Sequence, residues 1–295
     1  NLDHWHLDYV SLTRESRVTT DNNGLLRPFH TDLAIVKPPI GLLKEHRAMP
    51  WRQVDEDQIR DSFQIRVGSA NERSVPARPL YALEEAYTGY RVNNFDRNIT
   101  VNVEPFFGKA TSPPQENLFE FNEFLGQDSL KLTFKPAVDL TSDQLTRNDT
   151  FAFTQYFNHY IAYDDGTPES GFGIENFFRS AQVAQAFELN QADSLQAIGI
   201  RFNQSLSAVG NEFFDLVVWS DLGPLGTQPT RETVERRLVG KRPRYDGKGR
   251  SNYAIYELEE PLAVEGTIYI GWAQTDSYFL NVGVDENYRE LYESQ

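Results

Sequence analysis

The sequence predicts an all-β protein of tandem β-sandwiches, an immunoglobulin- or fibronectin-like one followed by a jelly-roll-like one, with a leading strand from a missing upstream sandwich. Three observations lead there. Aromatic residues make up 13% of the 295-residue chain, with 20 Phe and 14 Tyr, and such side chains favour pleated, half-buried surfaces. A single Met and the scarcity of heptad-like patterns leave little material for helix bundles. Short segments that alternate apolar and polar residues are separated by turn clusters such as Asp21-Asn22-Asn23-Gly24, Ser112-Pro113-Pro114 and Asp246-Gly247-Lys248-Gly249. That spacing favours sandwiches over parallel α/β sheets.

Taken in order, strands are expected at residues 5–12, 64–67, 99–103, 129–134, 150–157, 195–202, 213–219, 251–258 and 267–273. In the stretch ending at residue 157, an extended chain puts Phe151, Phe153 and Phe157 on one face. Two helical exceptions are expected. Residues 39–47 carry Leu42, Leu43 and His46 at helical spacing, and residues 230–238 read as a capped turn of helix or a long arm. The chain is long enough for two domains that each bury a core. It divides into residues 1–27, the exit of an upstream sandwich; residues 28–157, the immunoglobulin-like sandwich; and residues 158–295, the jelly-roll-like one. Asn1 leads at once into an alternating strand, so the chain is expected to be a processed product or a piece of something longer. The motif order does not repeat, which disfavours a solenoid or propeller.

Several motifs stand in a fixed series: Asp3-His4-Trp5-His6-Leu7-Asp8-Tyr9-Val10, Lys37-Pro38-Pro39 with Met49-Pro50-Trp51, Asn148-Asp149-Thr150, Tyr163-Asp164-Asp165-Gly166-Thr167-Pro168-Glu169, Gly271-Trp272-Ala273-Gln274, and the closing Asn281-Val282-Gly283-Val284-Asp285. This ordered series resembles the large secreted cell-surface proteins of gliding, type IX-secreting Gram-negative bacteria. The resemblance spans nearly the whole chain. It implies architecture and address, with export across the outer membrane by the type IX route, and no known reaction; the expected role is a non-enzymatic, extracellular or outer-membrane-associated structural or interaction protein, exported by that route or bound to its machinery. The C-terminal sorting domain of that family is not visible in these residues. The partners implied are other domains of the same polypeptide or an outer-membrane complex. A carbohydrate-binding module, or the accessory region of a secreted hydrolase, is the alternative.

Charge narrows the partners. Lys and Arg number 28 against 43 Asp and Glu, a net charge of −15, so a phosphate backbone is repelled and nucleic acid is not an expected partner. No Cys is present, which removes disulfides and thiol catalysis together. No apolar run is long enough for a membrane-spanning helix. The sequence also lacks a GxSxG elbow, an HExxH helix, a GxxxxGK loop and a GxGxxG turn after a strand. Acid pairs such as Glu84-Glu85 and Glu259-Glu260 carry almost no information among 43 acids. Asn98, Asn148 and Asn203 open glycosylation sequons, which in a bacterial protein read as accidental.

Three constellations have chemical potential. His4, His6 and Asp8 stand at i, i+2 and i+4, so a strand projects all three to one face, where two imidazoles and a carboxylate suit zinc with an open position for water. The plainer use is a polar strand face at a domain interface. Asp164, Asp165 and Glu169 gather oxygen ligands around Gly166, with Thr167 beside them, and suit calcium; apart from such an ion no cofactor is expected. The competing and preferred reading is a tight turn in which carboxylates cap free amides. If the closing strand pairs with the opening one, Asp276, Asp285 and Glu286 approach the same rim. Trp219, Trp272, Tyr269, Tyr278 and Phe279 could stack on sugar rings. The two tryptophans end or interrupt apolar strands and are expected in the core, which leaves Tyr278 and Phe279 as the surface candidates for a glycan.

Overall fold

The computed structural model describes residues 18–20, 26–28, 32–37, 41–71, 73–86, 89–94, 99–119, 130–139, 149–164, 166–174, 181–203, 209–223, 233–245 and 253–285. Among these the fold is all-β, its helical turns being short 3₁₀ segments at Trp51–Gln53, Glu56–Gln58 and Val209–Asn211. No helix among the described residues is long and apolar enough to cross a membrane.

The first half opens with a hairpin of β1 (Val18–Thr20) and β2 (Leu26–Pro28), which straddles the expected boundary at residues 27 and 28. There follow β3 (Leu33–Lys37), β4 (Ser62–Phe63), β5 (Arg66–Ser69), β6 (Val75–Glu85), β7 (Arg91–Asn94), β8 (Val101–Val103), β9 (Lys109–Thr111), β10 (Gln115–Glu116), β11 (Leu130–Asp139) and β12 (Phe153–Phe157). One sheet runs β12-β11-β6-β7, with β8 also on β6; another runs β3-β5-β9; β10 and β4 make a short pair. All of this pairing is antiparallel. In β11 the alternation is clean: Leu130, Leu132, Phe134 and Val138 are buried, and they share one apolar cluster with Leu33 and Val67 of the other sheet. Phe63 closes the space between layers, its ring 5.2 Å from Tyr81 and 4.5 Å from Phe134. In β12 Gln155 and Phe157 are buried and Phe153 packs on the cluster, but Phe151 precedes the strand and is exposed.

The second half has β13 (Ser170–Phe172), β14 (Ala181–Ile200), β15 (Phe214–Asp221), β16 (Thr233–Lys241), β17 (Ala254–Gln274) and β18 (Val282–Val284). The order β14-β17-β15-β16 forms one sheet and β13-β18 a second pair. A straight strand as long as β14 would span about 65 Å at about 3.3 Å per residue. It is not straight. Register shifts between Leu189 and Asp193 and between Leu195 and Ala197 break the β14–β17 ladder, and such bulges bend a ribbon. As a result Phe202, just beyond one end of β14, packs 5.6 Å from Phe214, whose neighbour Asp215 pairs with Ala273 at the other end of the ribbon. Tyr256 also meets Phe214 edge to face at 5.9 Å. The ribbon has folded over itself, making both layers of a sandwich from one pair of strands. Ile198, Ala254, Tyr256 and Leu258 from one arm, Trp272 from the other, and Phe214, Leu216 and Val218 of β15, which pairs with that other arm, fill a single cluster.

Two sequence expectations fail here. Residues 41–47 form bends and bridges, not a helix. Lys44 N–H donates to the Gln58 carbonyl at 2.8 Å and Arg60 N–H to that of Leu42 at 2.9 Å, so the helical spacing of Leu42, Leu43 and His46 reflects a loop buried on several sides. Residues 233–238, expected as helix or arm, belong to β16. There Arg236 and Arg237 pair with Val218 and Val217 of β15, and charge on both faces hid the alternation. The segments expected at 251–258 and 267–273 are the two arms of one strand, β17.

Candidate functional site

The Tyr163–Glu169 motif lies where the two halves meet. Ala48 forms bridges to both Tyr156 and Ala162, and the Arg47 N–H donates to the Ala162 carbonyl at 2.8 Å. This places Tyr163 against His46, ring centroids 4.5 Å apart and stacked, and 5.3 Å from Phe187 of β14. The Tyr163 hydroxyl donates to the Ala186 carbonyl at 3.0 Å. His46 is buried, its Nε2 has no hydrogen-bond partner among the described residues, and burial pushes its pKa down to about 4. A histidine here is neutral packing material, and its helical spacing in the sequence was no guide to that.

At the turn itself the Asp164 carboxylate is already engaged. Its Oδ1 accepts from Gly166 N–H at 2.8 Å and from the Tyr253 hydroxyl. Gly166 has φ +79, a left-handed backbone that favours glycine, and a Cβ there would lie 3.2 Å from the Tyr253 ring, a tight contact. Asp165 lies outside the described residues. Glu169 N–H donates to the Val284 carbonyl at 3.1 Å, and β13 pairs with β18, so the closing strand does meet the opening one and sets Asp285 near Glu169 along the ladder. The described residues hold no group of three or more acidic, His or Cys side chains placed for a metal. Of the candidate calcium ligands, Asp164 caps the turn through its bonds from Gly166 N–H and the Tyr253 hydroxyl. His4, His6 and Asp8 lie outside the described residues.

The closing Gly271–Gln274 motif is structural at each described position. A Cβ on Gly271 would sit 1.8 Å from the Val183 carbonyl oxygen, so glycine permits the close approach of β17 to β14. Trp272 is buried, as is Trp219. Gln274 is also buried; its Oε1 accepts from Trp272 Nε1 at 3.1 Å, and its Nε2 faces the carbonyls of Ile174, Asp276 and Tyr278 at 3.3, 3.2 and 2.9 Å. Tyr278 and Phe279 are half-buried. The Tyr278 hydroxyl donates to the Phe213 carbonyl, and burial, with the carboxylates of Glu212, Asp276 and Asp215, pushes its pKa up to about 12. The Phe279 ring rests on Gly173, where a Cβ would come within 2.7 Å. Both candidate sugar-stacking residues thus make contacts from the closing loop while remaining half-exposed. Asn203 of the third sequon donates its amide to the Ser170 carbonyl at 2.6 Å. Glu84 of the first acid pair bonds Lys135, which holds its carboxyl below the ordinary range, and lies 3.4 Å from Arg91.

Two further features escaped sequence reading. Gln53 is fully buried between the halves: its Nε2 donates to the Gln191 carbonyl at 2.9 Å and Asp193 Oδ2 at 3.1 Å, its Oε1 accepts from Gln191 N–H at 3.0 Å, and its carbonyl accepts from Asn190 Nδ2 at 2.7 Å. Arg52 pairs with Asp193. Burial pushes Asp193 up, but bonds from Ser194 N–H, Gln53 and Arg52 outweigh it and hold its carboxyl below the usual value. The bulge that bends β14 is thus the part that docks on the Trp51–Gln58 turns. Nothing local in the sequence marks such a long-range bond.

The second feature is the turn between β8 and β9. Phe106 and Phe107 both have left-handed backbones, φ 54 and 66, and are 70% and 82% exposed. Their N–H groups donate to the carbonyls of Asn71 at 2.9 Å and Ser69 at 2.8 Å. Asn71 is itself buried, with its Oδ1 accepting from Asp32 N–H at 2.9 Å. The framework therefore holds two large apolar rings in solvent, at a cost of about 1–3 kcal/mol for each left-handed residue. Pro105 and Gly108 on either side signalled a turn, but not its handedness.

No protein-family model matches the chain, and no curated protein matches it. Among solved structures it is similar to a two-domain protein of unknown function from Bacteroides fragilis, at 10% identity, over 88% of this chain and 93% of that one. The TM-score is 0.28, a value at which the likeness carries no argument.

Proposed function

We propose that this chain is a non-enzymatic interaction unit of a secreted or surface-exposed protein, exported by the type IX route or associated with its outer-membrane machinery. Its modules are an immunoglobulin-like sandwich up to about residue 157 and a jelly-roll-like one beyond it. Its partners are neighbouring domains of the same polypeptide or an outer-membrane complex. The ordered motif series supports the address. The observation that carries the interaction role is the Phe106–Phe107 tip: adjacent exposed aromatics on a strained backbone, fixed by bonds to the carbonyls of buried Asn71 and Ser69, are a pre-organised contact point.

The test is a pull-down from a surface-membrane extract of the source bacterium, comparing the native chain with a Phe106→Ser, Phe107→Ser variant. The native chain should recover its neighbouring domains or a defined outer-membrane assembly, and the variant should lose them while melting at the same temperature or higher. Equal recovery by both proteins would remove the tip from the interaction, and recovery of neither component would remove the role.

A further inference from the structure

We propose that the cleft beside Phe213 in the second half of the chain is a binding site for one neutral pyranose ring, such as the terminal sugar of a glycan. The proposal concerns the module remote in sequence from the Phe106–Phe107 tip and does not rest on that contact. The cleft has a volume of about 270 Å³ and is lined by Gln182, Phe213, Asp215, Arg237, Gln274 and Thr275 together with apolar and backbone groups of β15, β16 and β17. Pockets for drug-sized ligands begin at about 300 Å³, so this one suits a single small ring.

Its walls combine the two surfaces that a pyranose requires. Phe213 is 52% exposed and offers an apolar surface to the C–H face of a sugar. Asp215 and Arg237 stand next to it, Oδ2 to Nη1 3.2 Å, with both side chains part-exposed. An acceptor and a donor that close together match a vicinal diol, whose two hydroxyls can each donate and accept. The pair is also neutral as a unit, so it gives no net attraction to an anion, and an apolar ligand would desolvate both charges without return. A neutral polyol is the class that satisfies both walls.

The site is held in place before any ligand arrives. Gly240 N–H donates to Asp215 Oδ1 at 2.9 Å. The Arg242 guanidinium, which does not line the cleft, sits 4.4 Å from the centre of the Phe213 ring, and the Tyr278 hydroxyl holds the Phe213 carbonyl. The role of Tyr278 is thus to position this ring; it is not itself the stacking surface.

The experiment titrates the whole chain, by ligand-observed NMR and calorimetry, with methyl glycosides of glucose, galactose, mannose and N-acetylglucosamine, and with methyl glucuronide and acetate as anionic controls. At least one neutral glycoside should bind, and more tightly than either anion. Phe213→Ala should weaken that binding by at least about tenfold, as removal of a central aromatic anchor does. Asp215→Asn, which keeps an acceptor for Gly240 N–H, should weaken it by about fivefold or more through the lost charge-assisted bond. Thermal melts report folding, and if Phe213→Ala does not fold, Asp215→Asn alone decides. Binding of no neutral glycoside at about 20 mM, a range that includes very weak sites, overturns the proposal. So does tighter binding of the anions, or sugar binding that survives substitution in a folded variant.

Discussion

At the residue scale, burial decides what each polar group can do. His46 is neutral in the fold because burial lowers its pKa from 6.5 to about 4. Above pH 6.5 the unfolded and folded chains are both neutral at this site and it contributes no pH dependence. As pH falls from 6.5 to about 4 the unfolded chain takes up a proton that the fold refuses, so stability declines across that window and levels off below it. The full loss is about 3 kcal/mol at about 1.4 kcal/mol per pKa unit. Denaturant midpoints at pH 7 and pH 4 should therefore converge for His46→Gln relative to the native chain; identical pH profiles would show that His46 is not the group responsible. Asp164 gives a second test. Since its carboxylate is occupied by Gly166 N–H and Tyr253, a chelator should leave the melting temperature unchanged. A calcium ion at a hundredfold excess over its dissociation constant would add about 2.7 kcal/mol, and a chelator-induced drop of that size would restore the calcium reading for Asp164, Asp165 and Glu169.

At the scale of elements, the governing feature is the folded ribbon of β14 and β17. Its two strands must run close enough for the ladder to persist, and Gly271 is where side-chain volume has no room. Gly271→Ala should cost about 3 kcal/mol, because the obstructing atom is a backbone oxygen that cannot rotate away. A melting curve unchanged by this substitution would mean that β14 and β17 separate easily at that point. The strands themselves were readable where one face is apolar: β11 shows Leu130, Leu132 and Phe134 at alternate positions, and β15 the run of Leu216, Val217 and Val218. They were unreadable where the chain bends. Residues 189–197 and 258–261 lie at register shifts, where alternation is interrupted, so β17 looked like two strands and the first arm of β14 carried no signal. In β16 the arginines on opposite faces erased the period altogether.

At the scale of the whole molecule, the apolar clusters of the two halves are separate among the described residues, and polar bonds together with the Tyr163 ring between His46 and Phe187 join them. The large cluster runs from Leu33 to Phe157 and the other two lie between Val217 or Ile198 and Leu280, while Gln53 and the 190–193 bulge bridge them. Gln53→Ala removes its bonds to Gln191 N–H and C=O and to Asp193, which are part-exposed, a loss of about 1 kcal/mol for each hydrogen bond. Calorimetry should then resolve two transitions where the native chain shows overlapping ones, and a single unchanged transition would mean that Gln53 does not couple the halves. Composition and alternation were enough to determine an all-β chain, its aromatic cores, the glycine turn at 166 and the burial of Trp219 and Trp272, because each follows from local spacing and from the cost of exposing large apolar side chains. The folding of one ribbon into two layers, the docking of its bulge on Gln53, the exposure of Phe106 and Phe107, and the meeting of Phe213 with Asp215 and Arg237 were decided only in three dimensions. Each depends on groups brought together by bulges, left-handed residues or strand register, and none of these leaves a period in the sequence.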